Sequence, residues 1–231
     1  MSSESPSYPA DAGSDTFLLT VRGTTNAGAL EASRQLHNAT AGDPGNAAGA
    51  RALGDLSHNV YAPLDGGEGE LLFLDYWNST SGLGQFFAHP GVQAAAAQLF
   101  AERDGVVWAP APGFGSWSLP LPYGRGASGV GLLRVAVTSV EAAAGGFRAY
   151  STATINTARS HGLVSHRTWV RVPMPGESPV AEVIGVDVWS DAERMNGYYA
   201  LGIGFEHLGP HFAGQPASST WRAAPGEWAE W

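Results

Sequence analysis

The sequence predicts an α+β protein in which two ferredoxin-like βαββαβ domains pack sheet to sheet as an intramolecular α/β barrel. The first observation is a repeat. An acidic residue, a tryptophan and an aromatic pair recur at one constant offset, as Asp75, Trp77 and Phe86–Phe87, then as Asp187, Trp189 and Tyr198–Tyr199. The second is that hydrophobic periodicity gives the same order of strands and helices in both halves. The third is that the central strands are apolar on both faces, which is typical of a buried sheet.

The first domain is predicted at residues 15–120, after a flexible tail at 1–14. Runs of β-branched and aromatic residues indicate strands, three-to-four spacing of apolar residues indicates helices, and glycine and proline mark the breaks. The predicted elements are strands at 17–21, 57–61 and 70–77, a helix at 27–37 with a second piece at 46–53, a helix at 83–100, and a last strand around 114–117.

The second domain is predicted at residues 132–231, after a linker at 121–131 that is rich in proline, glycine and serine. It repeats the order of the first domain, with a turn expected at 173–176. The predicted elements are strands at 132–138, 165–169, 181–189 and 219–221, and helices at 140–158 and 192–212.

Both faces of the strand at 70–77 are apolar. Side chains alternate between the faces of a strand. One face therefore carries Leu71, Phe73 and Trp77, and the other Leu72, Leu74 and Tyr76. In a βαββαβ unit the helices cover one face only, so the second face needs another cover. We expect the sheet of the other half to provide it, so that the chain is a monomeric pseudo-dimer or forms a homodimer.

The composition excludes several classes of partner. The 231 residues carry a formal net charge of −9 with only 12 basic residues, which argues against nucleic acid or an anionic membrane as partner. There is no cysteine, and hence no disulfide framework and no thiolate nucleophile. The beginning of the sequence lacks the basic and apolar regions of a signal peptide, so a cytoplasmic location is expected.

The segment around the first tryptophan resembles the antibiotic-biosynthesis-monooxygenase group of dimeric α/β-barrel proteins, here in a tandem, fused form. The resemblance rests on an apolar strand followed by Trp77, Asn78 and Ser79, then Phe86–Phe87 and His89–Pro90. It implies a pocket in each half, between sheet and helices. It also implies functions such as cofactor-independent oxygenation of polyketide quinols, haem degradation or isomerisation.

Two histidines are the candidate catalytic bases. His58 and His166 lie in the second predicted strand of each half, in phase with Val60 and Val170. An imidazole in an apolar pocket can take a proton from a phenol or an acidic C–H near neutral pH. The structural alternative is a core histidine that is hydrogen-bonded to the backbone or to a carboxylate.

Asp187 is the third candidate catalytic residue, and Asp75 is its counterpart in the first half. Each lies two residues before a tryptophan and therefore on the same strand face. Such a carboxylate can orient a histidine, or its pKa can be raised by burial so that it acts as a base. The alternative is an ion pair with Arg22 or Arg134 on the neighbouring strand.

The candidate substrate contacts are mostly aromatic and lie mainly in the second half. Hydroxyl and indole N–H groups can orient a polar substrate, which favours the second half as the active one. The candidates are Trp77, Arg134, Trp169, Trp189, Tyr198, Tyr199 and His207.

No metal site and no tightly held cofactor are expected. Glu206, His207 and His211 invite a metal interpretation, but Gly209 and Pro210 break the helix that would align the histidines. In the haem-degrading subgroup that the resemblance includes, an iron-ligating histidine corresponds to Ala96 in the first half. In the second half it corresponds to Leu208, next to His207.

The sequence therefore predicts a small-molecule biosynthetic enzyme that acts on an aromatic or polyketide-like substrate by His-assisted proton abstraction. It would be a cofactor-independent monooxygenase or a related isomerase or cyclase. A non-catalytic protein that binds a small ligand and a haem protein that uses His207 or His211 are the alternatives.

Overall fold

The computed structural model describes residues 16–67, 69–119, 128–173 and 177–231. The predicted tail at 1–14 lies outside these ranges, as do most of the predicted linker at 121–131 and most of the predicted turn at 173–176. The last four linker residues, 128–131, are described, and three of them belong to the strand that begins at Gly129.

The first half contains five strands and four helices among the described residues. In chain order they are β1 (Phe17–Thr25), α1 (Leu30–Ala39), α2 (Pro44–Ala52), β2 (Asp55–Pro63), β3 (Glu70–Trp77), α3 (Thr80–Ala88), α4 (Pro90–Leu99), β4 (Phe100–Pro110) and the short β5 (Trp117–Ser118).

The described part of the second half contains four strands and three helices. They are β6 (Gly129–Ala136), α5 (Val140–Ser160), β7 (Leu163–Arg171), β8 (Glu182–Trp189), α6 (Ala192–Tyr199), α7 (Phe205–Leu208), which continues as a 3₁₀ turn at Gly209–His211, and β9 (Ala217–Ala223).

Eight of these strands form a closed antiparallel barrel, and β5 is added outside it along β7. The strand order is β4-β1-β3-β2-β9-β6-β8-β7, and a pairing of β4 with β7 closes the ring. Within each half the order corresponds, with β4-β1-β3-β2 matching β9-β6-β8-β7. The two half-sheets join edge to edge at β2–β9 and at β4–β7. The α+β class and the barrel predicted from the sequence are therefore confirmed.

The interior of the barrel is apolar, and both halves contribute to it. Leu72 and Leu74 from β3 contact Ile184 and Val186 from β8 inside the barrel. Leu71 and the other β3 residues that alternate with them point outward and pack against the helices. Burial of this kind stabilises a fold by about 25 cal/mol per Å² of apolar surface. Each half thus covers the apolar sheet face of the other, as the alternation on both faces predicted.

The last strand of the first half is not at the predicted position. It was expected around 114–117, but β4 runs over Phe100–Pro110 and only Trp117–Ser118 is extended in that region. Gly113 and Gly115 have φ values of 84° and 77°, in the left-handed region that a regular strand cannot include.

Two predicted helices are shorter than expected. The helix at 83–100 is divided into α3 and α4, because Pro90 starts a new helix after the extended residue His89. The helix at 192–212 ends at Tyr199, and Gly202 and Gly204, with φ of 60° and 83°, turn the chain before α7.

Candidate active site

Each half carries a histidine and an aspartate on neighbouring antiparallel strands. His166 on β7 lies opposite Asp187 on β8, and its Nδ1 is 2.6 Å from the carboxylate Oδ1. His58 on β2 is in the same relation to Asp75 on β3, at 2.7 Å. Opposite residues on paired strands point to the same face, so the register brings each pair together. All four side chains are buried.

The arginines considered as partners for these aspartates bind elsewhere. Arg22 pairs with Glu70 at 3.0 Å, and Arg134 pairs with Glu182 at 2.7 Å. Arg22 lies opposite Leu72, whose side chain faces the barrel interior, whereas the aspartates point to the helices. The prediction of an Asp–Arg pair is therefore wrong, because the two residue types lie on opposite faces of the barrel wall.

In the first half, both ring nitrogens of His58 are occupied by protein groups. Its Nδ1 meets Asp75, and its Nε2 is 2.9 Å from Nε2 of His37. Nδ1 of His37 is 2.9 Å from Oδ1 of Asn38, an oxygen that also accepts a hydrogen bond from the backbone N–H of Ala229. His37 therefore donates through Nδ1 and accepts at Nε2, which requires His58 to donate at both of its nitrogens.

The electrostatics of the two rings agree with this assignment. Burial, together with repulsion from His58, lowers the pKa of His37 to about 4, so His37 is neutral. Burial alone would lower the pKa of His58, but its attraction to the charge of Asp75 and the hydrogen bond that it donates to Asp75 outweigh burial, and the pKa of His58 is raised. His58 is thus an imidazolium with both N–H groups in use, and it has no lone pair to offer a substrate.

In the second half, one nitrogen of the histidine is free. Nε2 of His166 is buried and has no hydrogen-bond partner within the described residues. Asp187 holds Nδ1 and also accepts a hydrogen bond of 2.8 Å from the hydroxyl of Tyr199. Burial, and then the charge of Asp187, raises the pKa of Tyr199 well above its usual value, so the phenol stays a neutral donor. In the neutral tautomer that donates from Nδ1 to Asp187, this ring presents the lone pair of Nε2, which can take a proton.

Two cavities lie between the barrel wall and the helices, one in each half. The first cavity, of about 600 Å³, is walled by apolar side chains of β1, β3, α3 and α4, and Asp55, His58 and Asp75 also line it. The second cavity, of about 300 Å³, is lined by His166, Asp187 and other residues, including Tyr150, Tyr199 and Ser218–Thr220. Both volumes are in the range of small-molecule sites.

Only some of the residues predicted as substrate contacts meet at the second cavity. Tyr199 lies there with His166 and Asp187. Tyr198 lies just behind it, with its hydroxyl 3.3 Å from that of Tyr150. The indole of Trp189 packs against Tyr198 and Tyr199.

The other predicted contacts lie away from the cavities. Trp77 is fully buried against Phe86 and Phe87. The Trp169 ring is inside the barrel. Arg134 also lies on the interior face of the barrel wall, where it is bound to acidic side chains. His207 is a partly exposed residue of α7 and lines neither cavity.

The sequence did not single out three of the residues that shape these sites. Tyr150 and His37 are helical residues whose spacing suggests only a core position. Gly131 lies beneath Tyr199, where an added Cβ would collide with the phenol oxygen, so a glycine is needed for the Tyr199–Asp187 hydrogen bond. No sequence pattern marks such long-range contacts.

The barrel and its two lateral cavities define the class of dimeric α/β-barrel proteins, with both units in one chain. Comparison with solved structures agrees. An anthrone oxidase-like protein superposes with a TM-score of 0.62 at 15% identity, covering 90% of this chain and 91% of its own. A provisionally named monooxygenase from Fusobacterium nucleatum gives 0.60 at 8% identity, covering 92% and 94%. A mutant chlorite dismutase from Candidatus Nitrospira defluvii gives 0.53 at 10% identity, covering 90% and 92%.

The fold is that of a dimeric α/β barrel with both units in one chain. The predicted resemblance is thus confirmed at the level of fold. No family model matches the sequence, and no curated protein matches it.

His207 and His211, the haem ligands considered from the sequence, line neither of these two cavities. No cluster of three or more His, Asp or Glu side chains suited to a metal ion occurs in the part of the chain that the structure describes. In that same part, every helix is too short or too polar to span a lipid bilayer.

Proposed function

We propose that this protein is a small-molecule biosynthetic enzyme whose second cavity is the catalytic one. It would act on an aromatic or polyketide-like substrate as a cofactor-independent monooxygenase or as a related isomerase or cyclase. The observation that carries the proposal is the buried His166, which is held by Asp187 at Nδ1 and unpartnered at Nε2. The likeness in fold to monooxygenase-like proteins supports the same class of chemistry.

The proposed chemistry starts with proton transfer to Nε2 of His166. The proton comes from a phenol or from a C–H that is acidified by neighbouring carbonyl or aromatic groups. Asp187 stabilises the imidazolium that forms, and the hydroxyl of Tyr199 holds the second carboxylate oxygen in place. In an oxygenase the substrate anion would then reduce O2, with one oxygen atom entering the product and the other leaving as water. In an isomerase or cyclase the anion would be reprotonated or would close a ring.

We propose that residues 15–120 and 132–231 are two ferredoxin-like domains, which the corresponding strand orders support. We also propose that the reaction needs no tightly held cofactor, because the imidazole already supplies the base.

Variants of His166 test the assignment. Candidate phenolic and polyketide-like substrates are first ranked by thermal shift, and turnover of the best one is then measured. We expect His166→Ala to lower kcat/KM by about 10²- to 10⁴-fold, the usual contribution of a general base. His207→Ala is the matched control and should leave turnover unchanged. A folded His166→Ala variant with wild-type turnover would refute the base assignment.

Haem binding is the second candidate function, and the fold shared with chlorite dismutase favours it. An absorption spectrum of the purified protein, before and after addition of haem, separates the two. A Soret band that shifts when His207 or His211 is replaced would support haem binding, and no band after haem addition would exclude it. Catalysis by His166 predicts turnover without haem.

A further inference from the structure

A carboxylate oxygen of a residue that lines the first cavity is buried and makes no hydrogen bond within the described residues. Asp55, at the start of β2, is 5% exposed and lines the cavity. Its Oδ1 has no hydrogen-bond partner among the described residues. Burial of a polar atom without a partner costs a protein free energy, so such an atom calls for an explanation.

The second half shows that the fold does not require a polar residue at this position. Asp55 lies opposite Trp77 across β2 and β3, and Leu163 lies opposite Trp189 across β7 and β8 in the same way. Both strands have an irregularity directly after this residue, so the two positions are structurally equivalent. Leu163 is also 5% exposed. A leucine therefore fits where the first half has a carboxylate.

An unpaired donor lies beside the unpaired acceptor. The indole of Trp231 lines the same cavity, and its Nε1 is buried without a partner among the described residues. The indole N–H is close enough to Asp55 to favour the ionised carboxyl, yet the two side chains make no hydrogen bond of normal geometry.

The position of Trp231 is fixed by contacts from three directions. Its backbone exchanges two hydrogen bonds with that of His58, at 2.8 and 3.2 Å. Its ring packs on the His58 ring at 4.9 Å, and the guanidinium of Arg51 lies 5.0 Å from the ring centroid. The indole N–H is therefore held in place at the polar end of the cavity.

We propose that the first cavity is a second, non-catalytic binding site for a flat apolar molecule that carries a hydroxyl group. The hydroxyl would donate to Oδ1 of Asp55 and accept from Nε1 of Trp231, so that both unpaired atoms gain partners. The apolar body would lie between Phe73, Phe86 and the remaining apolar wall of the cavity. This site does not depend on His166, which lies in the other half.

The charges around the site select against other ligand classes. Asp55 and Asp75 line this end of the cavity, Glu230 lies near His58 beside it, and these acidic groups repel a ligand carboxylate. Burial, then repulsion from Asp75, raises the pKa of Asp55 to about 7, so the carboxylate form is present above neutral pH. An ammonium group could donate to Asp55 but could not accept from the indole.

Isothermal titration at pH 8 with three naphthalene probes tests the site. The probes are 2-naphthol, 2-methoxynaphthalene, which accepts but cannot donate, and 2-naphthylmethylamine, which donates as a cation but cannot accept. We expect the wild-type protein to bind 2-naphthol at least about tenfold more tightly than the methyl ether, because a hydrogen bond to a charged group is lost. We also expect 2-naphthol to bind more tightly than the amine.

Variants assign these differences to named atoms. Asp55→Leu introduces the residue that the second half has at the equivalent position, and this variant should bind 2-naphthol and its methyl ether equally. Asp55→Asn keeps the side-chain shape and should reduce the preference to a few-fold, which provides a test if the leucine variant does not fold. Trp231→Phe should weaken both probes alike and leave the preference intact. His166→Ala alters only the second cavity and should leave the Asp55-dependent preference for 2-naphthol over its methyl ether unchanged.

Four results with the wild type and the Asp55 variants would overturn the proposal. They are an absence of saturable 2-naphthol binding, equal wild-type affinity for 2-naphthol and its ether, amine binding as tight as naphthol binding, and an undiminished preference in the folded Asp55 variants. Loss of 2-naphthol binding in His166→Ala would place the ligand in the second cavity and would refute the site here. Failure of the catalytic proposal alone would leave the expected affinities unaltered.

Discussion

Replacement of Asp55 by leucine is expected to stabilise the protein at alkaline pH. In the folded protein burial, followed by repulsion from Asp75, raises the pKa of Asp55 from 3.8 to about 7. A raised carboxyl pKa contributes stability that is complete below pH 3.8 and is lost as the pH rises through 7. Since each pKa unit corresponds to about 1.4 kcal/mol, the full loss is on the order of 4 kcal/mol.

The assay is urea unfolding of the wild type and Asp55→Leu, followed by tryptophan fluorescence at pH values from 4 to 8.5. The difference in unfolding free energy between the two proteins should change in favour of the variant by up to about 4 kcal/mol across this range. His37 titrates in both proteins, so its contribution largely cancels in the difference. Asp55→Asn serves as the matched control for volume and should show the same trend. Parallel pH profiles for wild type and both variants would show that Asp55 carries no buried charge.

Three further predictions concern other parts of the molecule. Because the pKa of His37 is lowered to about 4, the stability of the wild type relative to His37→Gln should fall by about 3 kcal/mol as the pH drops from 6.5 to 4, and parallel pH profiles of the two proteins in urea unfolding would refute the assignment. Gly131→Ala should displace Tyr199 from Asp187, which should lower turnover and reduce the free energy of unfolding in urea by about 1–3 kcal/mol. Gly197→Ala is the control, because its added methyl group contacts no other atom, and it should change neither quantity. Equal effects of the two variants would refute the role of Gly131. Trp169→Ala should cost about 3–5 kcal/mol of stability by emptying barrel space, and an altered KM with unchanged stability would instead support the predicted substrate contact.

Local sequence patterns were sufficient for the faces of the strands and for the positions of the two histidines. Alternation correctly assigned Leu71 and Leu72 to opposite faces of β3 and His58 to the face of Val60. Alternation did not predict β4, because the stretch Ala101–Gly105 is exposed and partly polar and shows no strand pattern. This stretch is a strand because it pairs with β1. Edge pairing between distant segments leaves no periodic signal in either segment.

The difference between the two halves could not be derived from the sequence repeat. Both halves carry a histidine opposite an aspartate, and the repeat makes them look alike. His37 and Trp231 come from segments outside β2. In the first half only, His37 occupies Nε2 of the strand histidine, His58, and the Trp231 ring packs on the His58 ring. Tyr199 and Gly131 shape the second half in a different way.

The sequence by itself determined the class of fold, the matching order of elements in the two halves and the need for each sheet to be covered by the other. These follow from side-chain periodicity and hydrophobicity, which act over a few residues. The tertiary structure decided which histidine keeps a free lone pair and which carboxylate is buried without a partner. Protonation and hydrogen bonding depend on atoms within about 3 Å, and the fold brings those atoms together from positions far apart in the chain.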